Sequence, residues 1–208
     1  MNLLISGFEP FGELSVNPTQ VLAEKAQEWE VEGVNIHTVV LPVVYHACAR
    51  RLIDEIERVN PDVVLSLGVA VGRSSITPER IGVNLQDTVG EGKLGDNAGQ
   101  KPKDEKLYET GPDGIFSTLP NRFLVNALKE AGIPAQISNT AGAYICNNTL
   151  YEMLVYLKNE SSEIKAGFIH VPATPEMVTA SSHLPSMALE TQEKALKMMI
   201  TTLRDSLT

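Results

Sequence analysis

The chemistry in this chain begins with Cys146, which lies in the stretch Ala141-Gly142-Ala143-Tyr144-Ile145-Cys146-Asn147-Asn148. Residues 134–138 before it are short, β-prone and opened by Pro134, the pattern of a strand. After it, Leu150, Met153, Leu154 and Leu157 recur at three- and four-residue spacing, the pattern of a helix. The cysteine therefore falls where a strand, past a small-residue turn, feeds the first turn of a helix. Unpaired backbone N–H groups and the positive end of the helix dipole favour a thiolate there. The second cysteine, Cys48, shares an apolar stripe with Tyr45, Leu52, Ile56 and Val59, and is expected to be an inert core thiol.

A thiolate nucleophile needs a group that takes its proton and later delivers it to the leaving group. There are four histidines. His37 lies inside a predicted strand, His46 at a helix start and His183 in a polar loop, whereas His170 ends a strand on the edge that also carries Cys146. A carboxylate is the natural third member, fixing the imidazole tautomer. Pattern alone does not choose among 26 acidic residues. Glu79 is favoured because it sits in an extended, β-branched stretch beside the third strand, where an unpaired carboxylate is costly. A pairing of Glu79 with a surface arginine stays open. Phe8 and Phe11, two aromatics in one tight loop, suit either a small apolar recognition pocket or ordinary core packing. Arg73 suits either the holding of an acidic group or a structural role.

The elements that must position these residues follow from periodicity and punctuation. Strands are predicted at 2–6, 36–41, 62–67, 134–138 and 166–171, with an extended stretch at 76–85. Helices are predicted from Asn17-Pro18, as N-cap and first helical residue, to about Glu30, over 45–59, over 121–131, after Cys146, and from about Ser186 onward. Residues 86–114 are polar, carry six glycines and show no period, which reads as a lid, a binding loop or an oligomer arm. The order indicates a three-layer α/β/α sandwich with a largely parallel, mixed central sheet, in one domain over 1–208. Ligands of such sheets gather at the carboxyl edge. Residues 7–12, 68–73, the turn before Cys146 and His170 all reach that edge.

The composition narrows the function classes. Hydrophobic residues make up 43% and charged residues 21% of 208, ordinary for a globular chain with a full core. A net charge of −9 argues against nucleic acid or an anionic membrane as partner. No apolar run approaches a membrane span, and the N-terminus lacks the basic region of a signal peptide. Two cysteines without a CxxC or a Cys/His cluster argue against a disulfide framework or a metal site, and no cofactor is expected. A cytoplasmic protein with reduced thiols is the reading.

Several separated motifs then resemble one family. They are Gly7-Phe8-Glu9-Pro10-Phe11-Gly12 with Asn17-Pro18, Gly72-Arg73 with Glu79-Arg80, Ser138-Asn139-Thr140-Ala141-Gly142 with Cys146-Asn147, and Phe168-Ile169-His170-Val171-Pro172. In this order they resemble pyroglutamyl peptidase type I, the pyrrolidone-carboxyl peptidase family of cysteine peptidases, over essentially the whole chain. The resemblance implies Cys146 as nucleophile, His170 as general base and acid, and Glu79 as the orienting carboxylate. It implies removal of an N-terminal pyroglutamyl residue from peptides through a thioester, without metal, by a cytosolic and often homotetrameric enzyme. It implies a lactam pocket lined by Phe8, Phe11, Tyr144 and Ile145, with Asn17 and Val69 among the substrate-binding positions. A neutral, compact lactam suits an apolar slot, and the Cys146 N–H is the expected oxyanion donor.

The chain also departs from the family pattern. Where many members read Asp-Ala-Arg-Ile-Pro-Asp-Asn, it has Asp87-Thr88-Val89, a glycine-rich piece, then Gly95-Asp96-Asn97. The arginine is missing, so either Lys93 stands in for it or the loop is reshaped. Val69 replaces a glutamine of some relatives, and Glu13 a glycine. The altered loop motivates a second hypothesis, a catalytically silent homologue that binds blocked N-termini. A nucleoside- or phosphate-binding protein is disfavoured by the lack of a P-loop or GxGxxG fingerprint after a strand.

Overall fold

A computed structural model describes every residue except 13, 14, 90–94, 182 and 208. Five strands form the main sheet: β1 (Asn2–Phe8), β2 (Asn35–Leu41), β3 (Val63–Ala70), β4 (Thr77–Pro78) and, late in the chain, β7 (Lys165–Pro172). Their order is β2-β1-β3-β7-β4, with the first four parallel and short β4 antiparallel to β7. β5 (Ile81–Val83) and β6 (Gly114–Phe116) make a separate antiparallel pair.

Strands buried on both faces read as continuous apolar runs, which is why β1, β3 and β7 are buried almost end to end. Alternate residues serve two cores. Leu3, Ile5, Leu65 and Ile169 pack on one side with residues of α1 (Pro18–Gln27), α3 (Asn121–Glu130) and α5 (Leu189–Leu207). Leu4, Val64 and Phe168 pack on the other with α2 (Ala47–Val59) and α4 (Ile145–Asn159). The expected three-layer α/β/α sandwich with a mixed, largely parallel sheet is the observed fold. Among the described residues no helix is long and apolar enough to cross a membrane.

Some boundaries differ from the sequence expectations. Residues 134–138 are not a regular strand but make isolated bridges, Ile76 with Ala135 and Glu79 with Ser138. Backbone bonds run from Ile76 to Pro134, Gln136 to Ile76, Ser138 to Pro78 and Arg80 to Ser138. The donor that would complete this parallel ladder belongs to residue 78, and proline has no N–H to give. The extended stretch 76–85 is split into β4 and β5 because its first part pairs with β7 in the main sheet and its second with β6 in the separate pair. α2 begins at Ala47 rather than Tyr45, because His46 takes φ 60° and turns the chain just before the helix. α1 ends at Gln27 and α5 starts at Leu189, each a few residues short of its predicted bound.

Candidate active site

β3 and β7 end side by side, with Gly68 and His170 as register partners. Residues of these two strands that share register point to the same face, so the His170 ring follows that of Phe168, at 5.0 Å between centroids. On this face Gly68 presents no side chain. A Cβ there would stand 3.0 Å from the Cys146 Sγ, which places the thiol directly over the glycine.

Cys146 is the second residue of α4 and half-buried. The helix start is held by the two residues that follow. Asn147, fully buried, accepts from the Val83 N–H and donates to the carbonyls of Val83 and Leu85, all at 2.9 Å. Asn148 accepts from the His46 N–H at 2.7 Å. These asparagines were not assigned a role from sequence. The available signal was their polarity within a first turn otherwise committed to the core.

Glu79 and His170 meet, with His170 Nδ1 2.7 Å from Glu79 Oε1. The carboxylate is fully buried. Burial pushes its pKa up, but the hydrogen bond and charge of His170 outweigh this, with Ser138 and Arg73 adding to them. The carboxyl is held below the usual range. Arg73 donates through Nη1 to the same Glu79 Oε1 at 2.6 Å. The two sequence alternatives for Glu79, a histidine or an arginine partner, are thus both realised on one oxygen. The group that Arg73 holds is this buried carboxylate.

Cys146 and His170 line one cleft of about 310 Å³, together with Phe8, Phe11, Asn17, Val69, Tyr144 and Ile145. All six residues expected in the pocket are therefore in its wall. Val43, Val71 and Ala141 complete the apolar lining. Asn17 also caps α1, accepting from the Thr19 N–H at 3.0 Å and hydroxyl at 2.8 Å, and donates to the Glu9 carbonyl at 3.1 Å. Its position in the cleft wall is therefore fixed by the start of the helix. Tyr144 meets Tyr45 edge-on and donates to the Gly95 carbonyl at 3.0 Å.

Sequence reasoning missed the brace formed by Asp96 and Asn97. Asp96 accepts from the N–H groups of Tyr45, Ala98 and Gln100. Asn97 donates through Nδ2 to Glu9 Oε1 at 2.8 Å and the Pro10 carbonyl at 3.0 Å. Lys93 and Glu13 lie outside the described residues. No group of three or more His, Cys, Asp or Glu among the described residues could hold a metal ion. A thiol, an imidazole and a buried carboxylate beside an apolar slot are the equipment of acyl transfer through a thioester.

The pyroglutamyl peptidase family model matches residues 1–206. The pyrrolidone-carboxylate peptidase of Vibrio vulnificus strain YJ016 is 42% identical over 200 residues, covering 96% of this chain and 91% of that protein. That of Oceanobacillus iheyensis is 40% identical over 198 residues, covering 95% and 96%. Among solved structures, the pyroglutamyl peptidase I of Bacillus amyloliquefaciens superposes with a TM-score of 0.92 at 32% identity, over 98% of this chain and 94% of its own. A mutant pyrrolidone carboxyl peptidase of Pyrococcus furiosus gives 0.93 at 36% identity, over the full length of both. With matching fold, near-complete coverage and the cysteine, histidine and glutamate in one constellation, the chain belongs to the pyroglutamyl peptidase family.

Proposed function

We propose that this chain is a cysteine exopeptidase that removes an N-terminal pyroglutamyl residue from peptides, working as one catalytic domain. The observation that carries the reading is the Glu79–His170 pair, set on the same apolar cleft as Cys146. With Nδ1 held by Glu79, the imidazole takes the thiol proton on Nε2. Cys146 Sγ attacks the pyroglutamyl carbonyl carbon, and its own N–H, in the first turn of α4, donates to the developing oxyanion. Collapse breaks the peptide bond as His170 protonates the departing amine, leaving a thioester. Water, deprotonated by His170, hydrolyses the thioester and releases pyroglutamate. Phe8, Phe11, Val69 and Ile145 give the lactam an apolar seat. A charged N-terminus would have to lose its hydration there, at a cost of several kcal/mol. By family resemblance the enzyme is a cytoplasmic homotetramer, a state that light scattering on the purified protein would measure.

The test compares pyroglutamyl-, prolyl- and glutaminyl-arylamides with and without iodoacetamide. Only the first is cleaved, and stoichiometric alkylation at Cys146 abolishes the cleavage. Cys48 stays unlabelled, because it is fully buried and its thiol pKa is pushed up to about 12. Saturable binding of a pyroglutamyl peptide with no cleavage after long incubation would instead establish the silent homologue.

A further inference from the structure

Arg73 makes an arrangement that the proposed reaction does not yet use. Its Nη1 donates to Glu79 Oε1 and to Thr77 Oγ1, each at 2.6 Å, and its Nη2 donates to the Thr140 carbonyl at 3.0 Å. Thr77 is the register partner of His170, and Thr140 belongs to the loop that leads into Cys146. Two donors, from Arg73 and His170, converge on Glu79 Oε1, and Oε2 is buried without a hydrogen-bond partner.

We propose that Arg73 is a positioning residue of the reaction, one planar guanidinium that locks Glu79 against His170 and ties both to the loop delivering Cys146. The inference rests on the exopeptidase reading of the site. A fork with fixed donors can meet three acceptors at once, whereas a lysine ammonium on a flexible stem cannot hold the same three in register. The charged and titratable groups facing Glu79 are His170 from β7 and Arg73 from the loop after β3, with Cys146 of α4 on the same cleft. Without Arg73, His170 is the one donor left on Glu79 Oε1, and the carboxylate is free to turn away from the imidazole.

The experiment uses Arg73→Met and Arg73→Lys. The His170 Nδ1 proton resonance is recorded by NMR in a Cys146→Ser background, and kcat and KM are measured with Cys146 intact. Arg73→Met is expected to shift or broaden the His170 Nδ1 proton resonance, because Glu79 is no longer locked against it. It lowers kcat about tenfold or more, with KM changed less than about twofold. Arg73→Lys keeps the charge but not the three-acceptor geometry, so kcat still falls. A folded Arg73→Met with unchanged Nδ1 resonance and kcat overturns the inference, as does Arg73→Lys with wild-type kcat. If Arg73→Met does not fold, the lysine variant decides alone. A wild-type protein that binds but does not cleave pyroglutamyl-arylamide would sink the exopeptidase reading instead, and the His170 Nδ1 resonance would still report on the Arg73 geometry.

Discussion

Replacing Gly68 with alanine adds one methyl group where the thiol rests on the sheet. The new Cβ would stand 2.6 and 2.7 Å from the Cε1 and Cζ atoms of Phe168 and 3.0 Å from Cys146 Sγ. Carbon atoms pack at about 3.5–4.0 Å, so the ring must withdraw by nearly 1 Å and the sulfur by a few tenths. Phe168 has little room to withdraw, since it is fully buried between the rings of Phe8 and His170. Overpacking of this kind costs about 1–3 kcal/mol. At about 2–4 °C per kcal/mol for a chain of this size, Tm should fall by roughly 4–8 °C for a mid-range cost. The larger effect is on chemistry, because the same methyl displaces Cys146 Sγ directly and presses on the Phe168 ring that packs against His170. A shift of a few tenths of an ångström at the thiol should lower kcat about tenfold. Thermal unfolding, kcat on pyroglutamyl-arylamide and the rate of Cys146 alkylation read these effects separately. Gly167→Ala is the control, since its Cβ would meet Ser117 and Leu119 on the opposite face of β7. It should lower Tm comparably and leave kcat nearly unchanged. Gly68→Ala with wild-type Tm and kcat would refute the placement of the thiol over the glycine.

Two further outcomes follow from the cleft wall and from the anchor of α4. Asn97→Ala removes two hydrogen bonds to the loop that carries Phe8 and Phe11, so KM should rise about tenfold with kcat held within about threefold; initial-rate kinetics showing a fall in kcat alone would contradict this. His46 pairs through Nδ1 with buried Glu152, and that hydrogen bond raises the histidine pKa against opposing burial, with the charge of Glu152 raising it further and Arg50 lowering it. A folded-state pKa above the unfolded value means that the stabilisation is complete below about pH 6.5 and is lost as pH rises through the folded value. The gap in urea midpoint between wild type and His46→Gln should therefore be wider at about pH 5.5 than at about pH 8.5; an equal or reversed gap would show that the pair does not stabilise in its charged form.

The fold was legible wherever one physical signal dominated. β1, β3 and β7 are buried on both faces, and Gly or Pro marks their ends. The residues that carry chemistry were legible because a parallel sheet delivers them to one edge in chain order, and Cys146, His170 and the 7–12 loop needed only that topology. What the sequence hid depends on distant backbone. The ladder between 76–80 and 134–138 fails at one missing proline N–H, which no propensity registers as a break between two well-formed stretches. Arg73 reaches Thr140 across 67 residues of sequence, and Asn97 reaches Glu9 across 88. A polar stretch without period says only that its groups must bond somewhere, not where.

That last point bears on the stretch where the chain leaves the family pattern. The departure lies between Asp87 and Asn97, with the near flank pinned to Tyr45 and Ala143 and the far flank to the cleft-wall residues Val43 and Tyr144 and to Tyr45. The Asp87 N–H donates to the Ala143 carbonyl at 2.9 Å, and the Tyr45 hydroxyl reaches the carbonyls of Asp87 and Ala143. On the far flank, the Gly95 carbonyl takes the Tyr144 hydroxyl, the Asp96 carboxylate takes the Tyr45 N–H, and the Asn97 N–H donates to the Val43 carbonyl at 2.8 Å. Two fixed ends make the length between them a small entropic matter, since doubling a loop costs only about 0.6 kcal/mol. The edge-on pair of Tyr45 and Tyr144, the second of which lines the cleft with Cys146, is therefore held by anchors on both flanks. A change in sequence between these anchors leaves in place the hydrogen bonds that hold the Tyr144 side of the cleft.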